Sequence, residues 1–247
     1  MKKIAFAASL ITFSLLSGVA HANFNSELNG AVLKADELKV YSVGGSYYFD
    51  SVNTSKGPLA EASFLDLQNS IDVSFTRFDL DDQNLNSWGV NGTYVLQNTG
   101  LFLNAGIQHL NGYSENIYTL GGGYYLSRDW AVLVDTQFDD DMNYQGFSLA
   151  SKKLFDLGND NFVSLEGAYI NPDSGDDSFA VSADYYLNRN LSVGLGYEWS
   201  DSFSDGVSTV RSQWFISEQF AVSAAVSYMD DNIGSTTLYN LGATLRF

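Results

Sequence analysis

STTLYNLGATLRF, Ser235 to Phe247, closes the chain and decides its fold. From Tyr239 on, every second residue is apolar (Tyr239, Leu241, Ala243, Leu245, Phe247), and those between are small or polar (Asn240, Gly242, Thr244, Arg246). A period of two is that of a β-strand with one apolar and one polar face. An ordinary soluble domain rarely ends on such a strand with no polar tail, so the stretch points to a sheet whose apolar side meets something other than water.

The same alternation recurs upstream as a hairpin-scale repeat. Strands end on an aromatic pair plus an apolar residue: Tyr47-Tyr48-Phe49, Tyr124-Tyr125-Leu126, Tyr185-Tyr186-Leu187 and Trp214-Phe215-Ile216, with Tyr94-Val95-Leu96 as a weaker copy. Tight polar turns follow at 98–100, 127–129, 188–190 and 217–219, and the next strand starts at once on Leu101, Trp130, Leu191 or Phe220. The opposite strand ends run into longer acidic stretches at 79–86, 138–144, 171–177, 200–206 and 229–234. This reading predicts an all-β, antiparallel up-and-down barrel of 14 strands, at 24–34, 38–50, 70–80, 87–97, 100–110, 115–126, 128–137, 143–155, 161–171, 177–187, 190–200, 206–216, 219–229 and 235–247. Such lengths suit a tilted membrane-crossing strand. The aromatic triplets are expected to form one interfacial girdle, and Tyr41, Trp88, Phe138, Tyr169, Trp199 and Tyr228 the other. One segment, residues 50–69 (DSVNTSKGPLAEASFLDLQN), stands where a tight turn is due. We read it as a connecting segment at the periplasmic rim, with a short helix over 59–67 opened by Pro58. The alternative, a further strand element, leaves an odd count.

Met1-Lys2-Lys3, the apolar run Ile4–Leu16 and the triplet Ala20-His21-Ala22 have the layout of a secretory signal peptide, residues 1–22, cleaved after Ala22. The run is too short for a spanning helix, which needs about 20 residues. Residues 23–247 are then a single barrel domain. The chain has no cysteine, which excludes disulfides and a lipidated Cys anchor. No other run is apolar enough for a membrane helix, so a membrane can be crossed only by a closed barrel. The 29 acids against 12 Lys and Arg, two of the latter in the signal, argue against nucleic acid and against a basic peripheral membrane binder. Abundant aromatics and only two prolines fit strands and not a disordered acidic chain.

The terminal strand resembles that of bacterial outer-membrane β-barrels, which close on a terminal Phe; the resemblance implies that Phe247, Leu245 and Tyr239 belong to a signal recognised by the barrel-assembly machinery. Short turns at one rim and longer loops at the other agree with that class. More narrowly, the Asn29-Gly30 strand, Gly45-Ser46-Tyr47-Tyr48-Phe49 and Ser55-Lys-Gly-Pro-Leu-Ala-Glu-Ala-Ser-Phe-Leu65 resemble the general porin family of gamma-proteobacteria. That resemblance implies a passive pore in the outer membrane of a Gram-negative bacterium, with no catalytic residue.

Alternation puts Glu27, Asp72, Asp135, Glu166, Asp184 and Glu198 on the lumen face with Lys152, Arg211 and Arg246. Lys152 and Lys153 point to opposite faces near a strand end, which leaves that strand's facing open. Eight strands fill with their own side chains, whereas 16–18 leave an aqueous channel. Fourteen strands and a Gly- and Ser-rich lining favour a channel for small hydrophilic solutes. The alternative is that the lumen is plugged, either by the nine charges pairing into a network or by residues 50–69. Six acids against three bases lean toward cations. At the rim, Asp79, Asp81, Asp82, Asp139, Asp140, Asp141, Asp173, Asp176, Asp177, Asp230 and Asp231 either enrich cations at the mouth, simply keep it solvated, or share Ca²⁺ or Mg²⁺ with lipopolysaccharide. No cofactor or metal site is expected: there is no EF-hand spacing, no Cys, and His109 is the one His of residues 23–247. His109 also carries the alternative of an outer-membrane hydrolase, and a non-conducting structural or adhesive barrel is a third class. Against the hydrolase, no Ser lies two residues from His109 and no paired acids flank it. The partners expected are outer-membrane lipid and lipopolysaccharide, the assembly machinery, small solutes and cations. With no outer loop long enough to fold inward, a monomer is favoured over a trimer.

Overall fold

A computed structural model describes residues 22–247 apart from 36–37, 81–82, 112–114, 201–205 and 232–233. The signal peptide reading over 1–22 and the rim acids Asp81 and Asp82 therefore lie outside the described residues, except Ala22. Fourteen strands follow in chain order: β1 (Ala22–Lys34), β2 (Leu38–Asn53), β3 (Ser70–Leu80), β4 (Gln83–Val95), β5 (Leu101–Asn111), β6 (Glu115–Ser127), β7 (Trp130–Phe138), β8 (Tyr144–Gly158), β9 (Asn161–Pro172), β10 (Ser178–Asn188), β11 (Leu191–Ser200), β12 (Gly206–Ser217), β13 (Phe220–Asp231) and β14 (Gly234–Arg246). Each pairs antiparallel with its chain neighbours, and β1 pairs with β14, so the sheet closes. Closure leaves no edge of unpaired backbone groups, the condition for a sheet to sit in lipid. The seam runs from Glu27↔Arg246 to Lys34↔Tyr239, and Phe247 extends it by exchanging backbone hydrogen bonds with Ser26 (3.0 and 2.9 Å). No helix of the described residues is long and apolar enough to cross a membrane.

The turns are tight because the last strand residue caps them. Asn188 Oδ1 accepts from the amides of Asn190 and Leu191, and Ser217 Oγ from those of Gln219 and Phe220, the Asx and Ser turns that such residues form. Between β8 and β9, Asn159 and Asp160 both take positive φ (55° and 60°), which sets a two-residue hairpin turn of the hand that suits twisted strands.

Alternation settles the two faces. Outward residues such as Leu195, Val210, Tyr239 and Leu241 are exposed apolar side chains, a surface that only a lipid environment explains. Lys153 faces out at the turn end, pairs with Asp129 at 2.6 Å and lies near the Trp130 and Phe155 rings, as an interfacial lysine does. Lys152 therefore faces in. Tyr41, Trp88, Trp199 and Tyr228 are exposed near the loop end, where the second girdle was expected.

The first girdle needs a correction. Only the outer members of each triplet face outward: Tyr47 and Phe49, Tyr124 and Leu126, Tyr185 and Leu187, Trp214 and Ile216. The middle residue points into the barrel, so Tyr48 is 7% exposed, Tyr186 4% and Phe215 2%. The period of two forces this, since adjacent side chains take opposite faces.

Those inward rings meet residues 50–69. This segment joins β2 to β3 at the turn end and, beyond connecting them, turns inward. After β2 it forms two single-turn 3₁₀ helices (Thr54–Lys56 and Leu59–Glu61, the second preceded by Pro58) and a short helix α1 (Ala62–Asp66), and it folds into the mouth. Leu59, Ala60, Ala62 and Leu65 are buried in one cluster with Phe24, Tyr48, Leu154, Phe162, Tyr186, Phe215 and Ala221 from β1, β2, β8, β9, β10, β12 and β13. Phe64 packs on Tyr125 of β6. The physical cause is burial: at about 25 cal/mol per Å², neither the segment's apolar residues nor the inward rings are stable facing water.

Candidate functional site

The site is the lumen, lined by alternate residues of every strand. All nine charged residues expected there face inward, and they do not act alone. Arg246 is 1% exposed; its Nε donates to Glu27 Oε2 at 2.8 Å, while its guanidinium lies over the Phe24 and Phe215 rings at 4.5 and 5.4 Å. Arg211 Nε donates to Asp184 Oδ1 at 2.9 Å and its Nη2 reaches both Asp184 Oδ2 and Ser182 Oγ, a two-pronged pairing. Lys152 Nζ stands between Glu166 Oε1 and Glu61 Oε2, 2.7 Å from each. All three expected lumen bases are thus taken up by carboxylates.

Three of the six expected lumen acids, Asp72, Asp135 and Glu198, are left without a base among the described residues. Asp72 accepts from Ser46 Oγ (2.6 Å) and Ser70 Oγ (3.1 Å), and Asp135 from Asn104 Nδ2 (2.5 Å). Glu198 has no hydrogen-bond or ion-pair partner among the described residues.

Glycine makes this arrangement possible. Asp184, Gly194 and Arg211 occupy one cross-strand row on β10, β11 and β12. A Cβ at 194 would lie 2.0 Å from Asp184 Oδ1. Asn104, Gly121 and Asp135 repeat the device on β5, β6 and β7, where a Cβ at 121 would lie 1.8 Å from Asp135 Oδ1 and 2.6 Å from the Val134 carbonyl oxygen. The polar side chains lie flat along the wall over a glycine instead of reaching across the lumen. Gly121 and Gly123 line the lumen wall, while Gly122 between them faces out beside Leu103.

The turn end is where sequence reasoning fell short. Glu61, 2% exposed, also accepts from Tyr186 Oη at 2.5 Å. Burial pushes its carboxyl above the usual range, and Lys152 opposes that push. Arg189, in the β10–β11 turn, donates through Nε to the Gly57 carbonyl oxygen at 3.0 Å and through Nη2 to that of Thr54, while its own carbonyl accepts from Leu59 N at 2.8 Å. Within the segment Lys56 pairs with Asp66, whose Oδ2 also accepts from Asn53 N. The sequence signal for this stopper was the apolar spacing of 59–65 beside inward-facing rings, legible only once each triplet is split by face.

At the loop end several rim acids accept hydrogen bonds from their own or a neighbouring hairpin. Asp139 accepts from Asn143 and Gln145, which holds its carboxyl below the usual range, and Asp140 is held low by the Asn116 amide and side chain. Asp177 accepts from Tyr169 Oη and Asn171 Nδ2. Among the described residues no group of His, Cys, Asp and Glu is arranged to hold a metal. His109 faces outward beside Trp88, with Nδ1 2.9 Å from Asn116 Oδ1; neither neighbour is a nucleophile.

A closed 14-strand barrel with an apolar exterior and a polar lumen defines the class of outer-membrane channels. Consistently, the family model described as "Putative general bacterial porin" matches residues 1–138 and 132–247, and the chain belongs to that family. Its fold is similar to that of the outer membrane protein Omp33 of Acinetobacter baumannii (TM-score 0.76, 24% identity, over 92% of this chain and 99% of that one). It is similar at longer range to OprB of Pseudomonas putida (TM-score 0.52, 10% identity, 95% of each chain) and to the KdgM porin (0.50, 13%, 90% and 99%). No curated protein sequence matches the chain.

Proposed function

We infer that the protein is a gated diffusion channel of the outer membrane, passing small hydrophilic solutes with a modest preference for cations. One observation carries the preference: every expected lumen base is spent on a carboxylate, while Asp72, Asp135 and Glu198 keep theirs without a base. A lining with surplus negative charge favours cations electrostatically. Passage requires residues 50–69 to leave the mouth. Catalysis has no part in this reading, since the described neighbours of His109 are Asn116 and Trp88, neither of them a nucleophile. We further infer that the barrel-assembly machinery reads Phe247, Leu245 and Tyr239, that lipid and lipopolysaccharide surround a monomer, and that residues 1–22 direct export.

A barrel that never conducts is the competing reading, and the stopper is the observation in its favour. Conductance in a planar bilayer across a KCl gradient decides between them, with the full chain and a variant lacking residues 54–66. Openings with a cation-sided reversal potential, more frequent in the shortened variant, are expected. Silence of both, with heat-modifiable migration intact, overturns the channel.

A further inference from the structure

Glu61 is a carboxylate on a tether, held in a site built by the wall. Lys152 Nζ contacts one of its oxygens at 2.7 Å and Tyr186 Oη the other at 2.5 Å. Both belong to the barrel, on β8 and β10, and face the lumen. The rest of the stopper is held by apolar burial, by Arg189 on two backbone carbonyls, and by the Phe64 ring, whose centroid lies 5.2 Å from Lys152 Nζ. A plug needed only to stay shut gains little from a buried charge, because replacing a buried ion pair by apolar residues is often neutral or stabilising. The carboxylate is the one element of the contact that a solute can imitate.

We propose that the Lys152–Tyr186 pair is a recognition site for the carboxylate group of a permeating solute, and that Glu61 occupies it in the solute's absence. A solute carboxylate that displaces Glu61 then releases the stopper and opens its own path. The inference rests on the channel reading above and names the solute chemistry that works the gate. The electrostatics suit a site that must also let go. When Glu61 leaves, Lys152 keeps Glu166 at 2.7 Å, so no orphaned charge remains, and a new carboxylate meets a half-neutralised lysine. Binding is consequently weak, as conduction demands. A simple carboxylate anion and a zwitterion carrying an ammonium group share this chemistry; Glu166 beside Lys152 and the unpaired Glu198 admit the second as well.

The test is conductance of the refolded full-length protein in planar bilayers at constant ionic strength, with chloride partly replaced by acetate, and separately with glycine added. Acetate is less mobile than chloride, so without gating the current falls. A several-fold rise in open probability is expected with acetate if a bare carboxylate suffices, or with glycine alone if the ammonium is needed. Glu61→Gln, which keeps the hydrogen bond to Tyr186 but gives up the charge, is expected to raise resting open probability at least tenfold and abolish the response. Tyr186→Phe is expected to weaken it. The proposal is overturned if neither probe changes wild-type gating, or if Glu61→Gln gates as wild type does, while the variant lacking 54–66 conducts. Silence of that shortened variant instead overturns the channel reading itself.

Discussion

The two halves of the barrel wall hold their charges differently. From β8 through β14 to β1, carboxylates meet bases: Glu166 with Lys152, Asp184 with Arg211, Glu27 with Arg246. From β2 to β7, Asp72 and Asp135 are held by Ser46, Ser70 and Asn104, all neutral. The first arrangement cancels charge and stiffens the wall. The second solvates a carboxylate without cancelling it, so its field remains available to whatever crosses the lumen. Glu198, on β11, breaks the division by having neither kind of partner. One alternation of faces thus produces a wall whose carboxylates meet bases and a wall whose carboxylates meet neutral donors.

The sharpest break of the contrast is at the seam. Arg246→Met keeps bulk between Phe24 and Phe215 but strands Glu27, 4% exposed, without its base. Removing one partner of a buried pair costs about 3–5 kcal/mol. Urea unfolding of the refolded protein should show that loss, with most of it restored by adding Glu27→Gln. A double variant no more stable than the single one would mean that the pair is not what holds the seam.

Next comes the outer face. Leu195, 64% exposed and outward, should tolerate no charge: Leu195→Arg is expected to cost about 2–4 kcal/mol at mid-bilayer. Glu198→Arg, three residues on and facing the lumen, should fold and migrate normally on a heat-modifiability gel. Equal behaviour of the two variants would undo the face assignment on which both walls depend.

A smaller effect separates glycines that make room from glycines that do not. Gly121→Ala drives a Cβ to 2.6 Å from a backbone oxygen as well as into Asp135, whereas a Cβ at Gly167 meets nothing nearer than 4.0 Å. Overpacking costs about 1–3 kcal/mol, so Gly121→Ala should lower the unfolding midpoint and Gly167→Ala should leave it nearly unchanged.

The strands were legible because a half-buried strand advertises itself by period two, and the chain repeats the signal in every hairpin. The lumen residues followed from the same parity. The girdle triplets look like blocks in the sequence, but parity splits them and sends Tyr48, Tyr186 and Phe215 into the core. The contacts that seat the stopper escape the sequence for a different reason. Its folding depends on contacts with residues of β8, β9, β10, β12 and β13, all distant in sequence, so the apolar spacing of 59–65 gains its meaning only once the inward-facing rings are placed. Partnering was hidden too: alternation gives a side chain its face but not its height, so the row that joins Asp184 to Arg211 across Gly194 appears only with the register.

The finest test of the contrast leaves stability alone. Asp135→Asn is nearly isosteric, and its Oδ1 still accepts from Asn104 Nδ2, so the unfolding midpoint should move by less than about 1 kcal/mol. Its charge is nonetheless one of three, among the six expected lumen acids, that no base offsets. The reversal potential across a KCl gradient should therefore shift toward zero, and further with Glu198→Gln in the same chain. On the opposite wall, Asp184→Asn frees Arg211 and should push the potential the same way while lowering stability. If Asp135→Asn instead destabilised the barrel as Asp184→Asn does and left the reversal potential unmoved, the charge on β2–β7 would be structural as well, and the cation preference would need another source.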